Sequence, residues 1–551
     1  MQNRQKTALI SVYNKEGIAD FAKSLIGLGW KIISSGGTAK ILREAGLSVT
    51  ELSEITGMPP ILDHRVLTLH PKIHGGLLAL NTSEHSAELS KYEIPWIDMV
   101  CVDLYPLEEE IKKSESTKDS VIAQTDMGGV ALLRSGAKGG RITICDFDDR
   151  ERVLKWLKDG EPEREDFINK LRAKAEATVS RYCAVSAGYH SGGKYESIFG
   201  KKVLDCAYGE NVYQKPAFLF RNHNSHDDLL ALHKWKLLAG SSLSYNNLCD
   251  VDRMIQTVTH IGAGFEKNFD QAPFVAIGAK HGNACGAGIS QGRSLREFPQ
   301  GPSLEAVDKM LQGDLRAIFG GSVMVNFPVN EKIAEELISK FSPEGVRRLL
   351  DVVAAPFFTP EAIEILARKK GKCRILVNPA IEKAGINSLD KATRFRYVRG
   401  GFLTQPNYTF LPDIALATAG VPNLSNGFLV DIILAWAIGC TSNSNTITIV
   451  KNGRLYGNGV GQQDRVGAAK LAIFRADEAN NGKADLQNAT AYSDSFFPFP
   501  DAPEVLIERG IKTIFSTSGS VNDEKVIEFC KSKGVNLIML PDTEVRGFYQ
   551  H

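Results

Sequence analysis

The chain has 551 residues, too many for one hydrophobic core, and its 65 Lys plus Arg nearly cancel its 64 Asp plus Glu. A net charge of +1 excludes a global electrostatic drive toward nucleic acid or an anionic membrane, so an anionic ligand must be held by a local site. The nine cysteines are scattered, odd in number and without a C-x-x-C pair, which argues against a disulfide framework or a structural zinc site.

No apolar run is long enough for a bilayer, and the first strand follows the start too closely for a signal peptide. A cytoplasmic protein in reducing surroundings is expected. Residues Thr7–Tyr13 read as a buried strand, followed by a helix with Ile18, Phe21, Ala22, Leu25 and Ile26 on one face. A second strand, Trp30–Ser34, runs into Ser35-Gly36-Gly37-Thr38 and a helix that ends near Gly46; a third strand covers Leu47–Glu51. Further strands fit Ile97–Leu104 and Arg141–Cys145, and Glu163 to about Tyr189 reads as a long helix. This alternation predicts an α/β domain with a parallel sheet, and the small polar stretch after Tyr189 predicts a domain boundary between 190 and 205.

In the second part Phe274–Ile277 reads as a strand entering a glycine-rich loop, Gly278 to Gly286, that carries Lys280-His281. Thr446–Val450 and Leu455–Gly457 flank Asn452-Gly453, the dipeptide of a type I′ hairpin turn. A strand before Thr517, a helix from about Asp523 and a strand over Val535–Leu540 close the chain.

Two clusters carry chemistry. Gly36 and Gly37 between a strand and a helix allow backbone approach to an anion, with Lys15 at the same sheet edge; an ordinary tight turn fits the spacing equally. His70 and His74 are four apart, but Pro71 and the missing acidic partner argue against a metal helix, leaving a ligand-binding loop over Arg65–Gly76 or a packed one. Tyr105, Asp126 and Lys138 are candidates for proton relay. In the second part, His281 is a candidate general base and Lys280 a cation for a developing oxyanion, against a plain polar loop pair. Dinucleotide oxidoreduction fits poorly, because the glycine loop lacks G-x-G-x-x-G spacing.

Taken together, Ser11-Val12 with Lys15 and Gly17, Ser35-Gly36-Gly37-Thr38-Ala39-Lys40, and Arg65-Val66 through His74-Gly75-Gly76 resemble one known domain. So do Leu104-Tyr105-Pro106, Asp126 with Gly128-Gly129-Val130, and Ala137-Lys138. This is the cyclohydrolase half of the bifunctional family that formylates aminoimidazole carboxamide ribonucleotide and closes the product to inosine monophosphate.

Tyr208-Gly209, Leu243 to Leu248, Lys280-His281, Asp314 with Phe319-Gly320-Gly321, Ser444-Asn445, Asp464-Arg465, Ser493 to Phe499, and Arg546 with Phe548 follow in the order of that family's transformylase half.

The resemblance implies a methylglyoxal-synthase-like domain over 1–198 and a transformylase region of two cytidine-deaminase-like α/β subdomains over 199–551. It implies that Tyr105, Asp126 and Lys138 serve ring closure, with Lys15, Ser35, Gly37, Thr38, Arg65 and Thr68 holding the nucleotide. For formyl transfer it implies His281 as base, Lys280 at the oxyanion or leaving group, and Asn445 as orienter. Tyr208, Arg465 and Arg546 are then on the nucleotide side, Phe496 and Asp501 on the folate or formyl side, and Asp314 is a further substrate-binding residue. The cosubstrate implied is 10-formyltetrahydrofolate, without a catalytic metal and with a structural monovalent cation allowed. A homodimer is implied, with neither nucleic acid nor membrane as partner. The chain lacks the H-x-E and P-C-x-x-C residues of zinc deaminases.

The chain departs from the family pattern at Leu67, where Lys is usual, at Asp103 and Gly139, where Asn is usual, and at Ala207 and Tyr213, where Arg and His are usual. Arg316 is a candidate to replace the missing Arg. These departures keep two alternatives open: a formyltransferase with an impaired first domain, and a non-catalytic nucleotide-binding regulator.

Overall fold

The structure, a computed structural model, describes residues 4–62, 65–222, 227–291, 301–418 and 425–549. Backbone contacts divide it into two compact units, Met1–Phe199 and Gly200–His551. Among the described residues no helix is long and apolar enough to cross a membrane.

The first unit is built on a five-stranded sheet of β1 (Thr7–Ser11), β2 (Lys31–Ser34), β3 (Thr50–Glu51), β4 (Met99–Val102) and β5 (Ile142–Ile144). Its order is β3-β2-β1-β4-β5, and all pairs are parallel. Successive residues of β1 are buried on opposite faces: Ala8 and Ile10 join one apolar cluster, Leu9 the other. That double burial is why the strand reads as continuously apolar.

The third strand is shorter than the pattern predicts. The preceding helix, Gly36–Glu44, ends with Gly46 at φ 75°, and Leu47 N–H donates to Leu42 O at 3.1 Å, a Schellman closure that takes Leu47 out of the sheet. Residues 71–76 are not loop. Pro71 occupies the first turn of the helix Pro71–Leu78, where its missing N–H costs nothing, and His70 caps it by accepting Lys72 N–H at 3.1 Å.

The second unit begins with the hairpin β6 (Gly200–Cys206) and β7 (Ala217–Asn222). It then builds β8 (Lys236–Ala239), β9 (Phe274–Lys280), β10 (Asn283–Ser290), β11 (Gly321–Val325), β12 (Leu350–Ala355) and β13 (Arg374–Val377). After a hairpin of β14 (Thr393–Val398) and β15 (Gly401–Pro406) come β16 (Ile447–Lys451), β17 (Arg454–Gly459), β18 (Thr490–Ser493), β19 (Thr513–Ser518) and β20 (Asn536–Pro541). Eleven of these form one mixed sheet, β20-β19-β18-β16-β17-β10-β9-β11-β12-β13-β8.

The order is a duplication. In each half a long helix precedes a hairpin (β9–β10, β16–β17), the third strand lies antiparallel beside the first, and two parallel strands follow. The halves meet where β10 pairs with β17 at Gly288 and Arg454. The repeat reaches single residues. His281 and Gly282 turn the first hairpin at φ 51° and 74°, Asn452 and Gly453 the second at 55° and 68°, the two positive values of a type I′ turn. Asp250 on the helix Tyr245–Phe269 accepts Gly282 N–H at 2.7 Å, and Asp431 on Asn426–Gly439 accepts Gly453 N–H at the same distance.

The expected glycine-rich loop from Gly278 to Gly286 is therefore mostly strand. A Cβ at Gly286 or Gly288 would strike the carbonyls of Met310 or Ala306, so these glycines let the helix Pro302–Leu311 lie directly on β10.

Candidate active sites

The first unit gathers its candidate residues where the chain leaves the carboxyl ends of β1, β2 and β4, the edge at which ligands of open α/β sheets bind. Ser35 precedes the helix Gly36–Glu44 without capping it through its side chain, so the first amides of that helix face the edge with their partial positive charge. Lys15 folds back over the same loop. Its Nζ donates to Val12 O and, at 3.0 Å, to Tyr13 O, and its Cε lies 3.9 Å from where a Cβ on Gly37 would sit. Burial lowers the Lys15 pKa, and Asp103 opposes the shift.

The Thr38 hydroxyl is used inside the protein, donating to Val12 O at 3.1 Å and accepting Val12 N–H at 3.3 Å. Asp103 is likewise engaged: its carboxylate accepts the backbone N–H groups of Tyr13 and, at 2.8 Å, of Asn14. The departure at this position therefore serves the loop after β1.

Tyr105 and Asp126 meet, Tyr105 N–H reaching Asp126 Oδ2 at 3.4 Å. Asp126 is anchored by Gly129 N–H, which donates to its Oδ1 at 2.7 Å, and by its own N–H, which donates to Tyr182 Oη at 2.8 Å. Burial raises both the Asp126 carboxyl and the Tyr105 phenol above their usual values. The paired glycines have a steric cause. A Cβ at Gly128 would stand 2.5 Å from Thr68 Oγ1, and one at Gly129 2.5 Å from Asp126 Oδ2. Thr68 is thus seated against the start of the helix Gly128–Lys138, while Arg65 is exposed on the preceding turn.

Lys138 is not brought to this group. It is the last residue of that helix, about 15 Å along the axis from Gly128 at 1.5 Å per residue, and the chain then enters β5 from the opposite sheet edge. Leu67 is half-buried against the apolar cluster of Leu9, Ile33 and Val100.

In the second unit the β9–β10 turn carries Lys280 and His281. Lys280 Nζ donates to Phe319 O at 3.1 Å, and the His281 side chain is exposed. The turn is fastened to the segment before β16: Asn443 N–H donates to Asn283 Oδ1 at 3.1 Å. Asn445 follows two residues on, its Nδ2 donating to Gln462 O at 3.0 Å, and the Ser444–Asn445 peptide is cis.

The neighbouring Ser444 Oγ donates to Asp494 Oδ2 at 2.5 Å, and Arg465 lies 3.5 Å from Asp494 Oδ1. Asp494 is fully buried. Burial raises its carboxyl, and the Ser444 hydroxyl and Arg465 guanidinium pull it down. Arg546 pairs with Asp542 at 3.7 Å, and Asp542 also accepts Ser495 Oγ–H at 2.8 Å, next to Phe496. A polar network thus joins the segments that carry Lys280-His281, Asn445, Arg465, Phe496 and Arg546, while the Lys280 ammonium itself bonds to Phe319 O and the His281 ring stays exposed.

Other candidates form their bonds outside this network. Asp314 is 9% exposed and both its oxygens are engaged, by Ala317 N–H at 3.0 Å and Arg475 Nη1 at 3.1 Å, so it caps a helical turn and holds an ion pair. Arg316 is 84% exposed and paired with Glu478 at 2.7 Å, a surface bridge that replaces no ligand charge. Asp501 is exposed at the start of the helix Asp501–Glu508 and accepts Ala502 N–H. Tyr208 is half-buried, and its carbonyl accepts Tyr245 N–H at 3.0 Å, beside the helix that carries Asp250. Asp250, Arg253, Asn283 and Asn443 have no role legible in the sequence, and Ser444 only its place beside Asn445. The repeated Lys-x-Gly at 280 and 451 is the signal that leads to the first of them.

Among the described residues no three His, Cys, Asp or Glu side chains cluster as a metal site. The fold and the two sites define a two-unit α/β enzyme. The family described as AICARFT/IMPCHase bienzyme matches residues 141–475, and the MGS-like domain matches residues 17–131. Curated relatives named bifunctional purine biosynthesis protein PurH, from Bacillus mycoides (strain KBAB4) and Bacillus cereus (strain ATCC 10987 / NRS 248), are each 35% identical over 557 residues, 99% of this chain and of theirs. The solved structure "Crystal structure of ForH" is 31% identical and covers 35% of this chain and 100% of its own, with a TM-score of 0.31. The chain belongs to the AICARFT/IMPCHase bienzyme family.

Proposed function

We propose that the Lys280-His281 turn is the formyl-transfer centre and that the edge around Lys15, Ser35 and Asp126 is the ring-closing centre of this bifunctional purine-biosynthesis enzyme. The chain formylates aminoimidazole carboxamide ribonucleotide and cyclises the product to inosine monophosphate.

The observation that carries the formyl-transfer assignment is the joining of the Lys280-His281 turn to Asn443–Asn445 through Asn283. The substrate amine is conjugated with an electron-poor ring and is a weak nucleophile. His281 takes its proton as the nitrogen bonds to the formyl carbon of 10-formyltetrahydrofolate. Lys280 stabilises the oxyanion, and the carbon–nitrogen bond to folate breaks as that nitrogen is protonated, releasing tetrahydrofolate. Asn445 orients the reacting groups, Arg465, Arg546 and Tyr208 hold the nucleotide, and Phe496 and Asp501 line the folate side.

In the first unit the carboxamide nitrogen attacks the formyl carbon of the same molecule and water leaves. That step needs positioning more than a strong catalyst. Lys15, Ser35, Gly37, Arg65 and Thr68 hold the nucleotide, with the helix start facing its phosphate. Tyr105 and Asp126 exchange the protons at this edge.

The reading includes a homodimer, residence in the cytoplasm, and a structural monovalent cation. Sedimentation at working concentration tests the first, fractionation of expressing cells the second, and the thermal midpoint in potassium-containing against potassium-free buffer the third.

One assay tests the whole. The purified chain with aminoimidazole carboxamide ribonucleotide and 10-formyltetrahydrofolate releases tetrahydrofolate and yields inosine monophosphate. Accumulation of the formylated intermediate removes the first unit's activity from the reading, and absence of folate turnover removes the second's.

A further inference from the structure

Near the end of the chain, Tyr549 is held on every side. Its ring lies between two guanidinium groups, Arg253 and Arg394, each 3.8 Å from the ring centroid. Its hydroxyl donates to Asp252 Oδ2 at 2.5 Å, its N–H to Ser442 O at 3.0 Å, and its carbonyl accepts from Arg394 Nη1 at 2.9 Å. A desolvated cation stacked on a tyrosine face is worth more than the same pair in water, and here two faces are used.

One of the two cations reaches the formyl-transfer network. Arg253 Nη1 donates to Thr441 O at 2.8 Å and to Asn443 Oδ1 at 3.1 Å, the residue that fastens the Lys280-His281 turn through Asn283. The same guanidinium lies 3.7 Å from where a Cβ on Gly282 would be. Arg253 therefore touches both halves of the centre, the β9–β10 turn and the segment leading to Asn445. Arg253 is buried, and stacking of its planar guanidinium on the Tyr549 ring adds to its two hydrogen bonds in fixing one orientation.

We propose that Tyr549 is a positioning residue for formyl transfer, acting through Arg253 to hold the His281-Gly282 turn and Asn445 in register. This rests on the assignment of the Lys280-His281 turn as the formyl-transfer centre. Tyr549 touches no reacting group, so its removal lowers turnover and leaves substrate binding nearly unchanged.

The experiment compares full-length wild type with Tyr549→Ala, Tyr549→Phe, Arg253→Lys and the Tyr549→Ala/Arg253→Lys double variant. It measures kcat and KM for formyl transfer, cyclisation of supplied formylated nucleotide, and the thermal midpoint. Tyr549→Ala is expected to lower the formyl-transfer kcat by about ten- to hundredfold, the scale of a misplaced catalytic group, with both KM values within about twofold and cyclisation unchanged. Tyr549→Phe keeps the ring between the guanidiniums and is expected to restore kcat to within about threefold of wild type. Arg253→Lys keeps the charge without the planar face and should match Tyr549→Ala, and the double variant should be no worse than either single one.

An unchanged kcat in Tyr549→Ala, a rise in KM alone, or a loss in Tyr549→Phe as large as in Tyr549→Ala overturns the proposal while the site assignment stands. Active wild type whose turnover survives His281→Asn overturns the site assignment and the proposal with it.

Discussion

The carboxylate of Asp103, at the end of β4, accepts the backbone N–H of Asn14, just past β1, at 2.8 Å, and its other oxygen accepts Tyr13 N–H. A side-chain amide, usual in the family at this position, has one acceptor oxygen in place of two. Asp103→Asn is therefore expected to exchange one of these exposed hydrogen bonds for one to water, costing about 0.5–1 kcal/mol in the stability of the first unit. Thermal unfolding monitored with the five tryptophans, read beside formyl-transfer activity, checks this. A variant as stable as wild type would show that the carboxylate is dispensable to the loop.

Leu67 contributes apolar surface where the family has a cation. Leu67→Lys should run its aliphatic stem along the same cluster and carry an ammonium toward the pocket rim. One charge-assisted hydrogen bond of about 1.5–3 kcal/mol corresponds to roughly ten- to hundredfold in rate. Cyclisation of supplied formylated nucleotide should rise by about tenfold, with a loss of roughly 1 kcal/mol of stability from apolar surface returned to water. No change in cyclisation would remove position 67 from the ring-closing site.

His281 occupies the left-handed region at φ 51°, and its counterpart in the repeat is Asn452 at φ 55°. Asparagine tolerates this conformation better than most residues, so His281→Asn keeps the turn while deleting the base. Formyl transfer should fall by about a hundredfold or more with cyclisation and thermal midpoint unchanged. Steady-state assays of both half-reactions on one preparation check it.

Asp431, beneath the other turn, accepts Asn452 N–H at 2.9 Å and Gly453 N–H at 2.7 Å. Burial nevertheless raises its carboxyl from 3.8 to about 6. Folding thus favours its protonated form. The stability it contributes is complete below about pH 4 and is lost as pH rises through about 6, on the order of 3 kcal/mol at about 1.4 kcal/mol per unit. Between pH 4 and 6.5, Asp431→Asn should unfold with a more positive pH slope than wild type, because a contribution that falls with pH has been removed. Denaturant titrations across that interval measure the difference, and parallel slopes would rule the group out.

The sequence by itself determined the chemistry available and most of the local structure. Alternation of apolar strands and amphipathic helices is a local pattern, as is the Asn452-Gly453 turn, and the ordered motifs around Ser35, Asp126, Lys280, Asn445 and Arg465 carry the family resemblance. What only the tertiary structure decided is how each polar group is used. Thr38, Asp103 and Asp314 read as ligand contacts or perturbations, and the fold gives their oxygens bonds within the protein, to Val12, to Tyr13 and Asn14, and to Ala317 and Arg475.

Lys138 shares a motif with Asp126 and stands a helix length away, because spacing along the chain does not say at which end of a helix a ligand lies. The duplication of the second unit leaves only a short trace in the residues, the repeated Lys-x-Gly at 280 and 451, and the strand order with Asp250 and Asp431 under matching turns emerges only in the fold. A buried donor or acceptor must find a partner, and that partner is often supplied by a distant segment, as Tyr549 is to Asp252. Only the folded chain brings such segments together.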